Sequence, residues 1–312
     1  MQSPARRRGR AGAARSAREA VVRLGFRAPY DWGHMLDFLA TRAVAGVERV
    51  DTRGYARTVV CARGYGTICV NLLAGEDALT MRLTGAARAA RKELAATAVR
   101  VFDLSADPAR IRSGLAADPL LGPLVRERPG LRIPGMWEPF ECAVRAVLGQ
   151  QVSVAAGRTF AARLVKRAGM QLPGGVDGLT HAFPTPAQLA GATLDGIGLT
   201  TTRARTLHAL ARATLDGTVD FTSPATQLRV ALGKVPGIGP WTAQYVLLRA
   251  LGEADALPEA DLVLRRMAAP SATALTGREL AQRAHPWHPW RGYAVMHLWR
   301  AAAAAARRTV KP

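Results

Sequence analysis

The segment Leu232–Val246, LGKVPGIGPWTAQYV, gathers residue types that can hold a phosphate. An apolar run ends in Val235-Pro236-Gly237-Ile238-Gly239, and a helical pattern follows. Pro236 presets one turn residue, and the two glycines permit positive φ and close backbone approach. The N–H groups of Gly237 to Gly239 would then point outward at a helix N-terminus, a geometry that binds phosphate without regard to base sequence. A plain turn between two helices would use the same residues. Lys234, just before the turn, is placed for a phosphate contact. Sixteen residues after Tyr245 stands Asp261, beside the start of the next helical pattern. An aspartate there suits an N-cap. It also suits a carboxylate held over a sugar. N-glycosidic cleavage passes through an oxocarbenium-like state, whose positive charge one fixed carboxylate can stabilise while orienting a water for attack. Trp241 and Tyr245, four apart, share a helix face.

The composition agrees with a polyanionic partner. Of 312 residues, 43 are Lys or Arg against 23 Asp or Glu, a formal charge of +20. Only four of the 43 are lysine, at positions 92, 166, 234 and 311, and arginine's planar fork suits phosphate. Codon bias can supply part of that excess, because alanine is also abundant. At 49% hydrophobic and 21% charged, with mean hydropathy +0.02, the chain reads as soluble and globular, with room for one large domain or two to three ordinary ones. No apolar run reaches the roughly 18 residues of a spanning helix. The three cysteines, Cys61, Cys69 and Cys142, include no CxxC pair, so zinc and iron–sulfur clusters lack ligands. Cys142 falls in an apolar helical pattern and reads as core. His285, His288 and His297 lack metal-ligand spacing, and no metal site is expected.

Residues 1–26 hold seven Arg and one Glu and read as a disordered basic arm. In residues 27–88, Asp31 can cap a helix, and β-favouring runs follow at 46–51, 55–62, 66–72 and 78–83, punctuated by Gly64, Gly66 and Gly75. This predicts a small α/β module with an antiparallel sheet. From residue 89 strands disappear. Helical patterns run through 86–103, 107–116, 137–149, 153–168, 185–191, 203–216, 224–231, 240–251, 261–268, 276–283 and 290–307, separated mostly by Gly and Pro. The fold class is α+β, with an all-α body over 89–312.

The hairpin with its downstream aspartate resembles the helix–hairpin–helix DNA glycosylase superfamily, and within it the AlkA-like, 3-methyladenine DNA glycosylase II branch. Other segments match in chain order. Pro29-Tyr30-Asp31-Trp32 with Phe38–Val44 resembles the family's N-terminal module. Phe140–Val154, FECAVRAVLGQQVSV, resembles its central helix–turn–helix, and Pro289–Trp299 its closing helix. Together they cover roughly residues 27–305.

The resemblance implies a helical body of two subdomains with a cleft between them, and Asp261 as its catalytic carboxylate. It implies a base pocket lined by Trp241, Tyr245 and Trp299, whose electron-rich rings would attract alkylated, cationic bases. It implies DNA contacts at Lys234, Pro236, Gly237, Ile238 and Gly239. Gln150 and Gln151 would lie in the loop that enters the minor groove, Gln151 replacing an apolar wedge. Relatives with β-lyase activity carry a lysine two residues before the alanine of this hairpin. Trp241 stands there, so the implied enzyme is monofunctional: it flips an alkylated base of the 3-methyladenine or 7-methylguanine type out of the duplex, releases it by hydrolysis and leaves an abasic site. The implied partner is double-stranded DNA containing damaged bases, met by a monomer in the bacterial cytoplasm, nucleoid-associated and away from membranes. No cofactor is implied, although the hairpin leaves room for a sodium or potassium ion between its carbonyls and a phosphate. A non-catalytic helix–hairpin–helix DNA-binding protein of the same fold is the alternative.

Overall fold

A computed structural model describes residues 19–309. Five antiparallel strands open the chain: β1 (Glu19–Gly25), β2 (Glu48–Asp51), β3 (Gly54–Cys61), β4 (Gly64–Leu72) and β5 (Ala78–Thr84). They pair in the order β1-β5-β4-β3-β2. Strand β1 corrects the expected disordered arm. Ala20-Val21-Val22-Arg23-Leu24 pairs along β5, from Glu19 opposite Thr84 to Gly25 opposite Ala78, and Leu24 is buried. Its β-branched residues complete the sheet edge despite the basic sequence before them. The rest of the expected arm, residues 1–18, lies outside the described residues.

Thirteen α-helices of the described residues pack beside and beyond the sheet. The first, α1 (Trp32–Ala40), is capped by Asp31, whose side chain accepts from the His34 N–H. Next come α2 (Arg91–Val101), α3 (Pro108–Leu115), α4 (Leu121–Glu127), α5 (Pro139–Leu148) and α6 (Val154–Ala168). After them follow α7 (Pro186–Gly191), α8 (Thr201–Leu215), α9 (Ala225–Gly233) and α10 (Pro240–Val246), the last continued by a π-helical turn over Leu247–Leu251. The chain ends with α11 (Leu262–Met267), α12 (Gly277–Arg283) and α13 (Arg291–Thr309). The expected strand-free body needs correcting. Strands β6 (Met170–Val176) and β7 (Leu179–Ala182) form a second hairpin, hidden in the sequence by Pro173-Gly174-Gly175. It joins the body to the first sheet: the Thr180 and His181 N–H groups both donate to the Gly46 carbonyl, at 2.7 and 3.0 Å.

The apolar side chains form two cores. One lies under the first sheet and takes in Tyr55, Ile68, Met81 and Leu83. It also recruits Ala98, Val101 and Phe102 at the end of α2, with Trp137, so it extends past the expected boundary at residue 88. The other core is continuous through the helices, from Phe38 to Leu298, and buries Cys142 completely, as read from the sequence. Four buried ionic side chains join the cores. Arg57 of β3 donates to Glu141 of α5 at 2.8 Å. Arg145 of α5 donates to Glu48 of β2 at 2.8 Å and to Glu141 at 2.9 Å. Tyr55 adds its hydroxyl to Glu48 at 2.7 Å. Burial alone would raise the Glu48 carboxyl, but Arg145 and Arg57 hold it below its usual range. Glu141, in the first turn of α5, is thus one of four charges in a neutral two-by-two cluster. Losing one member would strand a buried charge.

Candidate active site and nucleic-acid interface

Helix α10 sets the site. Pro240 occupies its first turn, where a missing N–H costs nothing. The helix turns Thr242, Ala243 and Val246 into the core and leaves Trp241 and Tyr245 half-buried on another face. Their rings stack with centroids 5.3 Å apart and planes at 24°. Trp299 of α13 meets Tyr245 at 6.1 Å and 45°. These three rings, with Asp261, line a cleft of about 490 Å³. That volume suits a single flipped base and its sugar.

Asp261 holds two positions at once. It is the N-cap of α11: its Oδ1 accepts the Leu264 N–H at 3.0 Å. Its Oδ2 accepts the indole N–H of Trp241, also at 3.0 Å. The N-cap reading holds, and capping one oxygen leaves the other at the cleft wall, bonded to Trp241. The bond also shows that the side chain at position 241 reaches the carboxylate.

Behind the aromatic face lie arginines that the sequence did not single out. Arg249, buried on the π-helical turn, donates to the Tyr245 hydroxyl at 2.8 Å and also to the carbonyl of Pro134. Its guanidinium lies 4.6 Å over the Phe38 ring and 5.6 Å from that of Tyr245. Arg42 and Arg145 line the cleft itself. Of the rings expected to attract a cationic base, Tyr245 therefore already faces a protein cation. Nothing in the spacing of these arginines distinguishes them from the 36 other arginines of the chain.

The hairpin before α10 is formed as expected, with two corrections. Gly237 has φ +87°, and a Cβ there would stand 2.0 Å from the Thr206 Oγ1, so this glycine is required. Gly239 has φ −92° and open space around it, so it is not. The three N–H groups do not all point outward: that of Ile238 donates to the Val235 carbonyl at 3.0 Å, and the Ile238 side chain is buried in the core. Lys234, Pro236, Gly237 and Gly239 are exposed along the turn.

The α5–α6 connection lies beside the hairpin. Gln150 turns inward, its amide donating to the Gly237 carbonyl at 3.0 Å and the Thr242 Oγ1 at 2.9 Å. Arg203 of α8 donates to the Gln150 carbonyl at 2.7 Å. Gln151 is exposed, with φ +54°. The side chains of Gln150 and Gln151 are thus divided: one ties the loop to the hairpin, the other projects from it. His297, read as packing, is buried against His34, and burial holds both imidazoles down to about 4. His288 bonds to Asp255 at 2.8 Å.

Residues 21–138 match the AlkA N-terminal domain, and residues 144–278 match the HhH-GPD superfamily base excision DNA repair domain. The chain is 37% identical over 282 residues to DNA-3-methyladenine glycosylase 2 of Escherichia coli K12, covering 88% of this chain and 95% of that one. The chain belongs to the HhH-GPD superfamily of base excision DNA repair glycosylases. A probable bifunctional transcriptional activator/DNA repair enzyme AlkA of Mycobacterium tuberculosis is 36% identical over 293 residues. The match covers 91% of this chain but 57% of that longer protein. The 3-methyladenine DNA-glycosylase of Archaeoglobus fulgidus shares the fold, with a TM-score of 0.76 at 20% identity over 90% of this chain and 98% of that one. The HhH-GPD match takes in the hairpin, the α5–α6 loop from Val144 and Asp261. The AlkA N-terminal match takes in Phe38 and Arg42.

Proposed function

We propose that this glycosylase releases alkylated bases, of the 3-methyladenine and 7-methylguanine type, from duplex DNA and leaves the strand intact. The carrying observation is the Asp261 carboxylate, fixed by the Trp241 N–H at the wall of an aromatic cleft beside the hairpin. In this reading the exposed turn grips a phosphate, Gln151 enters the gap left by the flipped nucleotide, and the base stacks in the cleft. As the C1′–N bond breaks, its electron pair leaves with the base. An alkylated, cationic base departs neutral. Asp261 faces the charge that remains on the sugar, and a water oxygen bonds C1′ as its proton passes to the carboxylate or to solvent.

The monofunctional reading rests on position 241. A lysine there would reach the sugar that Asp261 faces and could form a Schiff base. Tryptophan cannot, and among the described residues the cleft is lined by no lysine. We further infer a monomer in the bacterial cytoplasm, working on damaged double-stranded DNA without an organic cofactor. Among the described residues no helix is long and apolar enough to cross a membrane.

The test is base release from methylated duplex DNA, followed by alkali. Free 3-methyladenine or 7-methylguanine, with nicking only after alkali, is expected. Nicking without alkali would overturn the monofunctional reading. Asp261→Asn should abolish release while duplex affinity stays equal or tightens. Release by that variant at the wild-type rate would remove Asp261 from the mechanism. Tight binding of methylated DNA with no release by the wild-type protein would favour a non-catalytic clamp.

A further inference from the structure

The cleft wall carries a charge that an aromatic cation trap does not need. Arg145 is balanced there by Glu48 and Glu141. Arg42 is not. Its Nη1 donates to the Thr41 Oγ1 at 2.9 Å and the Phe38 carbonyl at 3.3 Å, and its guanidinium stands 3.7 Å over the Phe38 ring. Among the described residues no carboxylate pairs with it; the Tyr245 hydroxyl supports its charge, while Arg249 and Arg145, both positive, act against it. Burial lowers its pKa to about 10, which still leaves it charged at neutral pH. Its backbone is fixed, because Arg145 Nη2 donates to the Arg42 carbonyl at 2.6 Å. Arg249 likewise makes no ion pair among the described residues, its bonds running to the Tyr245 hydroxyl and to backbone carbonyls. Around Phe38 and Tyr245, two unpaired guanidinium charges thus stand against the single carboxylate of Asp261.

The sign of that charge matters for the leaving group. A cationic base bound near Arg42 is repelled. A neutral base takes the electron pair of the C1′–N bond and becomes an anion, and a guanidinium beside it stabilises that charge as it forms. We propose that Arg42 is a specificity-determining residue that extends the cleft to neutral bases bearing a carbonyl acceptor, by donating to the base as it acquires negative charge. The proposal rests on the cleft being the base pocket. It adds to the aromatic stacking a second mode of leaving-group stabilisation, of opposite charge preference.

The two modes separate in one comparison. Duplexes carrying a single 7-methyldeoxyguanosine, which is cationic, or a single deoxyinosine, which is neutral and bears a carbonyl, are assayed with the full-length enzyme. For Arg42→Met, kcat/KM on deoxyinosine should fall roughly ten- to a hundredfold, the value of one charge-assisted hydrogen bond. On 7-methyldeoxyguanosine it should rise, through a lower KM. Arg42→Lys keeps a charge and should retain deoxyinosine activity, which separates charge from packing. Equal losses on both substrates, no change in their ratio, or a wild-type enzyme that releases 7-methylguanine but no hypoxanthine each overturns the proposal. A wild-type enzyme that releases neither base overturns the glycosylase reading itself, and this proposal with it.

Discussion

Asp261 divides its two oxygens between a helix cap and an indole, and this decides what each neighbour contributes. The Leu264 N–H fixes one oxygen to the end of α11, while Trp241 holds the other at the cleft wall. In the proposed reaction Trp241 would therefore position the carboxylate as well as offer a surface to a base. Trp241→Phe separates the roles: the ring can still stack on Tyr245, but the N–H is gone. A hydrogen bond to a charged group contributes about 1.5–3 kcal/mol, so kcat should fall roughly ten- to a hundredfold with little change in KM. Single-turnover base release measures both. A variant that loses KM and keeps kcat would assign Trp241 to stacking alone. At this scale the sequence was legible where a residue type and a spacing sufficed: Asp261 after the hairpin, and Trp241 with Tyr245 on one turn. It was silent on the Trp241–Asp261 bond, because that bond crosses a loop and twenty positions of chain. It was silent on Arg42, Arg145 and Arg249 because a chain with 39 arginines does not mark which three stand at or behind the cleft wall.

The Gln150 side chain holds the α5–α6 loop in contact with the hairpin, and the turn that it bonds depends on backbone geometry. Gly237 needs its positive φ and its missing side chain, with Thr206 filling the space where a Cβ would go. Gly237→Ala should therefore lower the thermal midpoint and weaken duplex binding, the left-handed strain alone costing about 1–2 kcal/mol. Gly239→Ala should do neither, because φ −92° is ordinary and nothing stands near its Cβ. Melting curves and fluorescence anisotropy on a duplex compare the two, and equal effects would mean that the turn is not held as described. The elements of the fold were largely legible: the four strands over residues 46–83 and most helices follow from alternation, helical period and Gly/Pro breaks. Strand β1, the β6–β7 hairpin and helix α4 were hidden for identifiable reasons. Strand β1 follows a run of arginines that outweighs its short apolar alternation, and β6 contains Pro173-Gly174-Gly175. Helix α4 carries Gly122 and Pro123 in its first turns, where proline is tolerated although it reads as a break. In each case tertiary pairing or packing outweighed local preference.

Charge governs the molecule as a whole, and it acts differently at the surface and in the interior. Residues 1–18 hold six arginines and no acid. Deleting them should make log Kd for duplex DNA less steep in log salt concentration while leaving single-turnover release at saturating enzyme unchanged. A deletion to residue 26 removes β1 as well and should lower the melting midpoint, so an unaltered midpoint would argue against the strand. In the interior, His34 of α1 and His297 of α13 are held neutral by burial, with pKa values of about 4 against about 6.5 when exposed. Between those values the unfolded chain binds more protons than the folded one, so stability rises with pH. The contribution is complete above about pH 6.5 and is lost as pH falls toward 4. Asp103 runs the other way: burial raises its carboxyl to about 6, so the folded chain takes up that proton first and gains on acidification. Two histidines against one aspartate leave a net loss on the order of a few kcal/mol. The thermal midpoint should therefore drop between pH 6.5 and 4.5, and His297→Asn, which cannot acquire charge, should flatten that slope. Since His34 shares a small cavity with Arg42 and Trp299, protonation there should loosen the cleft wall before the whole fold yields. Base release should then fall at a higher pH than the midpoint of acid unfolding followed by circular dichroism, and coincidence of the two would place the histidines in global stability alone.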